Sequence, residues 1–307
     1  MKSEVDFSII IPVYNGGNYL ATTIESVLLH SQGYSVECIV INDGSTDQTA
    51  EILKGFKNQV KVVTQVNGGE SAAVNRGLKE ASGEGVMVVS ADDPLLTSQI
   101  FEGMRWRLEE EPNIVAWYPD WNVIDDLGLT KKRMSLPEYD FKDLFEKNIV
   151  LPGPGTWFRR SAALTIGGRN PRWRYVGDYD FWLRLSLVGE FEHRPQVLAQ
   201  WRSHSGSTSI SERGYRMAEE RIAVIEEFIL ENAEKLSAFS TSLARANAHY
   251  LAARLGFFSP EVHARKLFLR SVQLNSKVVK SKRLHEIIFM LTFPVSKKLI
   301  DKIRKIL

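Results

Sequence analysis

"VMVVSADDPLL", residues 86–96, carries an apolar, β-branched run straight into two adjacent carboxylates, Asp92 and Asp93, and turns at once on Pro94. Apolar residues in unbroken succession are the pattern of a strand covered on both faces, as in a parallel sheet between helices. Two like charges at the end of such a strand repel each other unless something cationic sits between them. Two explanations stand side by side. Asp93-Pro94 can start a turn with Asp92 capping the next helix. Alternatively, the pair forms an oxygen-rich site for Mg2+ or Mn2+, with water and a diphosphate supplying the remaining ligands.

Three earlier runs share this character: "FSIII" (7–11), "VECIVI" (36–41) and "VKVV" (60–63). Segments with helical periodicity, 17–30, 46–57 and 69–81, separate them. A βαβαβαβ order with right-handed crossovers predicts an α/β fold, a doubly wound, mainly parallel sheet flanked by helices. Ligands of such sheets lie outside the carboxyl ends of the strands. Here those exits read "PVYN" (12–15), "NDGS" (42–45), "QVNGG" (65–69) and "SADD" (90–93), which places one cleft along them.

Further along, "LTSQIFEGMRWRLEE" (96–110) has helical character, and "LPGPGTWFRR" (151–160) is an ordered loop. "GDYDFWLRLSLVG" (177–189) is a helix with Phe181, Trp182, Leu185 and Val188 spaced for a buried face. Beyond Tyr215 the chain is helical, with Ala218, Ile222, Ile225, Ile229 and Leu236 in one stripe.

With 307 residues, 44% hydrophobic and 25% charged, the composition is that of a globular protein with a sizeable core. The net charge of +2 gives no general support for nucleic-acid binding. Lys277 to Leu307 nevertheless holds nine Lys/Arg against Glu286 and Asp301. Cys38, the single cysteine, lies in an apolar run and fits a core position in a reducing compartment. No secretory leader and no stretch of about 20 apolar residues is visible, so a cytoplasmic location is expected.

Individual polar residues have double readings. Asp43 belongs to a turn sequence, with Asp47 a helix cap, and equally stands where an acceptor would receive a hydrogen bond from a nucleobase. Asp178 and Asp180 suit the first turn of a helix, and one of them facing a cleft is a candidate general base. His204 and Arg202, in "QWRSHSGSTS", are surface residues or a metal ligand with a phosphate contact. Arg159 and Arg160 divide in the same way between solvated charges on a strand end and a phosphate contact.

Taken in order, "SIIIPVYNGGNYLATTIESVL", "ECIVINDGSTDQT", "NGGESAAVNRGLKEASGE", "SADD", "GGRNPRWRYVGDYDFWLRL" and "WRSHSGSTS" resemble the successive motifs of the family 2 inverting glycosyltransferases with the GT-A fold, over about residues 6–210. The resemblance implies transfer of a sugar from a nucleotide-sugar, commonly UDP-linked, to an acceptor hydroxyl with inversion, in cell-surface glycan or polysaccharide synthesis. It implies that Pro12, Val13, Tyr14 and Asn15 contact the nucleoside and that Asp43 recognises the base. Asn67 and Asn75 in the "NGGESAAVNRG" motif, Asp92, Arg159 and Arg202 complete the substrate contacts. Asp92, Asp93 and His204 would bind Mg2+ or Mn2+, and Asp178 would be the catalytic base. Two departures stand out. Ser90 occupies a position where relatives often carry a third carboxylate, and Gly177 precedes Asp178 where many have Glu.

The catalytic domain is expected over 1–212 and a helical region over 213–307. The basic end of that region is either a helix packed on the core or an interfacial segment on anionic lipid. The second of these would suit a glycan or lipid-linked glycan acceptor at the cytoplasmic face of a membrane. An inactive nucleotide-sugar-binding scaffold is the alternative. A sugar-1-phosphate nucleotidyltransferase would want a basic residue in the loop after the first strand, which "PVYNGGNY" lacks. A dinucleotide-dependent oxidoreductase fails because no G-x-G-x-x-G follows that strand.

Overall fold

The computed structural model describes residues 5–204, 214–255 and 263–280, within two compact units. The first unit comprises Met1–Tyr139 with Val150–His204, and the second Asp140–Ile149 with Ser205–Leu307. The chain begins as strictly alternating β and α: β1 (Phe7–Val13), α1 (Leu20–His30), β2 (Val36–Asn42), α2 (Thr49–Phe56), β3 (Lys61–Thr64), α3 (Glu70–Glu80) and β4 (Gly85–Val88). A 3-10 turn over Ser98–Phe101 follows, then α4 (Met104–Glu110), β5 (Ile114–Ile124), β6 (Thr130–Met134), the short α5 (Phe141–Phe145), β7 (Trp157–Arg159), α6 (Arg160–Thr165), α7 (Gly177–Leu185) and β8 (Glu190–Arg202). Four helices end the described chain: α8 (Gly214–Glu231), α9 (Thr241–Leu255), α10 (Ala264–Leu274) and α11 (Lys277–Lys280).

Eight strands form one sheet in the first unit, ordered β3-β2-β1-β4-β7-β5-β6, with β8 alongside β5. β1 pairs in parallel with β2 and β4, and β2 with β3, so the exits of these strands share one edge. Ile9, Ile10 and Ile11 of β1 are fully buried, each contributing about 1.5–3 kcal/mol of apolar burial. Phe7, Phe101 and Trp157 close the core on one side with ring centroids 5.2–5.9 Å apart.

The other half of the sheet adds antiparallel strands to the expected mainly parallel arrangement. β7 runs antiparallel to both β4 and β5, β6 is antiparallel to β5, and β8 is parallel to β5. The sheet is therefore mixed. β5 and β8 contain Pro119 and Pro195, residues that argue against an interior strand because they donate no ladder hydrogen bond. The chain absorbs Pro119 by shifting register between Pro119 and Trp121. Gly103, at φ 71°, divides the expected helix 96–110 into the 3-10 turn and α4. Val188 lies beyond the end of α7 and is 43% exposed, outside the buried face assigned to it. Cys38 is a core residue whose thiol burial pushes up to about 12.

In the second unit, Phe141 and Phe145 stack on each other and pack against Phe228 and Phe239. Glu146 accepts the N–H of Ser240, and the Asn247 amide donates to its carbonyl. Ala246, Tyr250, Ala253, Phe268 and Val278 form a separate small core. Among the described residues no helix is long and apolar enough to cross a membrane. Residues 281–307, most of the basic terminal segment, lie outside the described residues.

Candidate active site

The strand exits are stitched together by short polar side chains. Asn15, in the left-handed region at φ 54°, accepts the Thr46 N–H at 2.8 Å, while its own N–H donates to Ser45 Oγ at 3.0 Å. Gly17 N–H donates to Asp47, and Ser45 N–H to Asn42 Oδ1. These bonds fix the loop Pro12–Asn15 against the loop after β2 and leave Tyr14 53% exposed at the cleft rim.

Asp43 is buried, and its carboxylate accepts three hydrogen bonds of 2.8 Å, from Gln65 Nε2 and from the N–H groups of Gly68 and Gly69. Asn67 donates to the Asp43 carbonyl at 3.0 Å. The aspartate thus anchors the "QVNGG" loop that leads into α3. A carboxylate has about four lone-pair sites, and three of them are taken by these bonds.

At the exit of β4, Asp92 Oδ2 stands 2.8 Å from His204 Nε2, whose ring packs 5.2 Å from that of Tyr19. Asp93 turns the other way. It is buried, accepts the Arg202 N–H at 2.7 Å and takes a hydrogen bond from the Ser90 side chain. Burial first, and the neighbouring Asp92 charge second, push its carboxyl well above the usual range. Ser90, the departure from the three-carboxylate pattern, accepts the Asp93 N–H on its carbonyl at 3.1 Å and lines the neighbouring cavity. Arg202 is a brace: its guanidinium donates to the carbonyls of Asp92, Asp125 and Asp126 and lies 4.7 Å over the Tyr19 ring. Arg202, expected at a phosphate, has its Nε and Nη1 on these backbone carbonyls.

A cavity of ≈ 190 Å³ opens next to this cluster, with Ser90, Asp93, Thr156, Arg169, Asp178 and Gln200 in its lining. Asp178 is exposed there, at the start of α7. Asp180, two residues on, is buried and bonded to Arg184 at 2.5 and 3.0 Å. The two aspartates that spacing alone left equivalent are separated by this difference. Gly177 has a packing reason, since a Cβ there would fall 2.4 Å from Ser71 Oγ, where α7 abuts α3.

Asn75 points away from solvent and grips the backbone of Arg169, accepting its N–H at 2.8 Å and donating to its carbonyl at 2.7 Å. Arg169 itself was not singled out from the sequence. Its signal lay in "GGRN", where paired glycines precede a basic residue.

Arg159 is not brought to the cleft. It pairs with Gly85 at the amino end of β4, opposite the strand exits. Its guanidinium donates to the carbonyls of Ile114, Leu108, Arg107 and Glu111 and packs over Trp117. Burial lowers the pKa of this side chain. The expected substrate contact is corrected to a structural clamp.

The glycosyl transferase family 2 model matches residues 8–167, more than half of the chain and all four parallel strands with their exits. The chain belongs to this family. Hyaluronan synthase of Pasteurella multocida is 28% identical to this chain over 210 residues, 67% of the chain and 21% of that protein. The chain spans less than two thirds of the length of the curated relatives it matches. Among solved structures, residues 1–349 of Staphylococcus aureus TarS in complex with UDP-GlcNAc superpose with TM-score 0.61 at 17% identity, covering 87% of this chain and 80% of that one. The mannosyltransferase PcManGT of Pyrobaculum calidifontis, in complex with GDP-Man and Mn2+, gives TM-score 0.55 at 14% identity, covering 93% and 83%. Both likenesses concern the GT-A fold.

For a divalent cation, the described residues contain no group of three His, Cys, Asp or Glu able to hold one. Asp92 and His204 nevertheless face each other with ligand-type atoms 2.8 Å apart. This pair fits an ion that takes its remaining ligands from water and a diphosphate, with Asp93 shaping the loop beneath as its buried support.

Proposed function

We propose that the protein transfers a sugar from a nucleotide-sugar, UDP-linked, to an acceptor hydroxyl with inversion at the anomeric carbon. The observation that carries this reading is the placement of Asp178, an exposed carboxylate in one cavity with Asp93 and the β4 exit yet on a different element. A single displacement needs a base on the face of the sugar opposite the leaving diphosphate. Asp178 takes the proton of the acceptor hydroxyl as that oxygen attacks. The Asn15 loop and Tyr14 would hold the nucleoside, and Asp43, which anchors the adjoining "QVNGG" loop, would recognise the base. Asp92 and His204 would hold Mg2+ or Mn2+. When bound, that ion neutralises charge on the departing diphosphate.

An acceptor in polysaccharide or cell-surface glycan synthesis, lipid-linked or not, is favoured by the sequence likeness to hyaluronan synthase. The basic segment ending at Leu307 would favour work close to an anionic membrane surface. A thermal-shift series with UDP-, GDP- and dTDP-sugars, with and without Mn2+, tests the donor. The expected result is a metal-dependent rise for UDP-sugars. No shift with any of the three in the presence of metal would sink the proposal.

A further inference from the structure

Arg169 is 8% exposed, yet its guanidinium is used unlike those of the other enclosed arginines of this unit. Arg159 donates to four backbone carbonyls, Arg202 and Arg194 to three each, and Arg184 to two carbonyls and Asp180. For Arg169, the one side-chain hydrogen-bond partner among the described residues is Glu70 Oε1, at 2.6 Å. A guanidinium has five N–H donors in a rigid fork, so most of its capacity remains.

The two halves of this ion pair are held very differently. Asn75 clamps the Arg169 backbone from both sides, and Gly168 before it has φ 72° and would place a Cβ 2.4 Å from Asn75 Oδ1. Glu70 sits in the first turn of α3 with its side chain 61% exposed. The cation is the fixed member and the carboxylate the replaceable one. Both line the cavity that contains Asp178, whereas Asp43, Asn15, Asp92 and His204 do not.

We propose that Arg169 is an anion receptor on the acceptor side of the cleft, binding a carboxylate or phosphate carried by the acceptor, and that Glu70 occupies it when no acceptor is present. Exchange conserves the charge around the guanidinium, because one carboxylate leaves as another anion arrives, and Glu70 turns into solvent it already meets. An anionic group held there presents a neighbouring hydroxyl of the same molecule toward Asp178. This inference rests on the glycosyltransferase reading for the identity of the cleft.

The test uses the full chain and saturation-transfer NMR titrations of methyl β-D-glucuronide and sn-glycerol 3-phosphate against their neutral counterparts, methyl β-D-glucoside and glycerol. Titrations run with UDP and Mn2+ and again without them, and UDP affinity is measured separately by calorimetry. At least one anionic probe should bind about tenfold more tightly than its neutral counterpart, the size expected of a charge-assisted hydrogen bond. Arg169→Leu should remove that preference and leave UDP affinity unchanged. Glu70→Gln, at an exposed position that does not threaten folding, should raise the affinity for the anion several-fold. The proposal is overturned if neither anion is preferred, if the preference survives Arg169→Leu, or if Glu70→Gln has no effect. A parallel loss of UDP affinity in Arg169→Leu would also overturn it by placing the guanidinium on the donor. Failure of the unaltered protein to bind UDP strikes the donor reading instead, since the probe series without UDP stands independently.

Discussion

His204 Nε2 and Asp92 Oδ2 lie 2.8 Å apart, joining the end of β8 to the exit of β4 across 112 residues of sequence. A cation held as proposed would replace this hydrogen bond, so His204→Ala should act through the metal. The expected outcome is a loss of at least about tenfold in Mn2+-dependent UDP affinity with metal-free affinity unchanged. Calorimetry with and without Mn2+ measures both. An equal loss in the two conditions would assign His204 to packing on Tyr19 alone.

Asp178 and Asp180 offer a second contrast, since an exposed cleft carboxylate and a buried ion pair respond oppositely to the same change. Asp178→Asn should lower the transfer rate by about 10²–10⁴-fold, the usual worth of a general base, with the unfolding midpoint unmoved. Asp180→Asn should leave Arg184 short of its partner and cost about 3 kcal/mol of stability. All seven tryptophans belong to the first unit, so tryptophan fluorescence during urea unfolding follows the relevant part of the chain.

A pH dependence is expected from Asp120, which is buried against His193 at 2.9 Å and accepts the Leu136 N–H. Burial alone would raise its carboxyl. The Leu136 and His193 hydrogen bonds and the nearby charges of His193 and Arg133 prevail and hold it below the ordinary 3.8. Because the folded value is depressed, its stabilising effect is complete above 3.8 and is lost as pH falls through the lower folded value. Asp120→Asn keeps the shape and removes the charge, so its urea midpoint should fall less than that of the unaltered protein between about pH 5 and about pH 3.

The parallel half of the sheet was legible because each of its strands is bounded by turn residues, and the central β1 and β2 carry the apolar runs Ile9–Ile11 and Cys38–Ile41. β5 and β8 were not. Each carries a proline and at least one charged residue, and what stabilises them is their pairing with each other, which local sequence does not encode. The same division runs through the site. Asp92, Asp178 and His204 could be picked out by type and order, and the structure gathers them at the strand exits or around the neighbouring cavity. The arginines could not be sorted that way, because whether a guanidinium faces a ligand or a set of carbonyls depends on backbone from distant segments. Arg159 and Arg202 were expected at the substrate and brace the fold. Arg169, in the cleft, was passed over.

Arg159 makes that distinction measurable. Its four carbonyl partners come from the end of α4 and the start of β5; those of Arg107 and Glu111 also accept the N–H groups of Glu111 and Ile114, so truncation chiefly strips the carbonyls of Leu108 and Ile114, at about 1–3 kcal/mol each, less whatever water can recover. Arg159→Met keeps the aliphatic stem over Trp117 and should lower stability by about 3 kcal/mol or more. At a temperature where the variant remains folded, its UDP affinity should equal that of the unaltered protein, because Arg159 lies at the amino edge of the strands, away from the exits. Lysine should not rescue the variant, since an ammonium cannot reproduce the planar fork that reaches four carbonyls at once. A selective fall in UDP affinity without a fall in stability would return Arg159 to the substrate site.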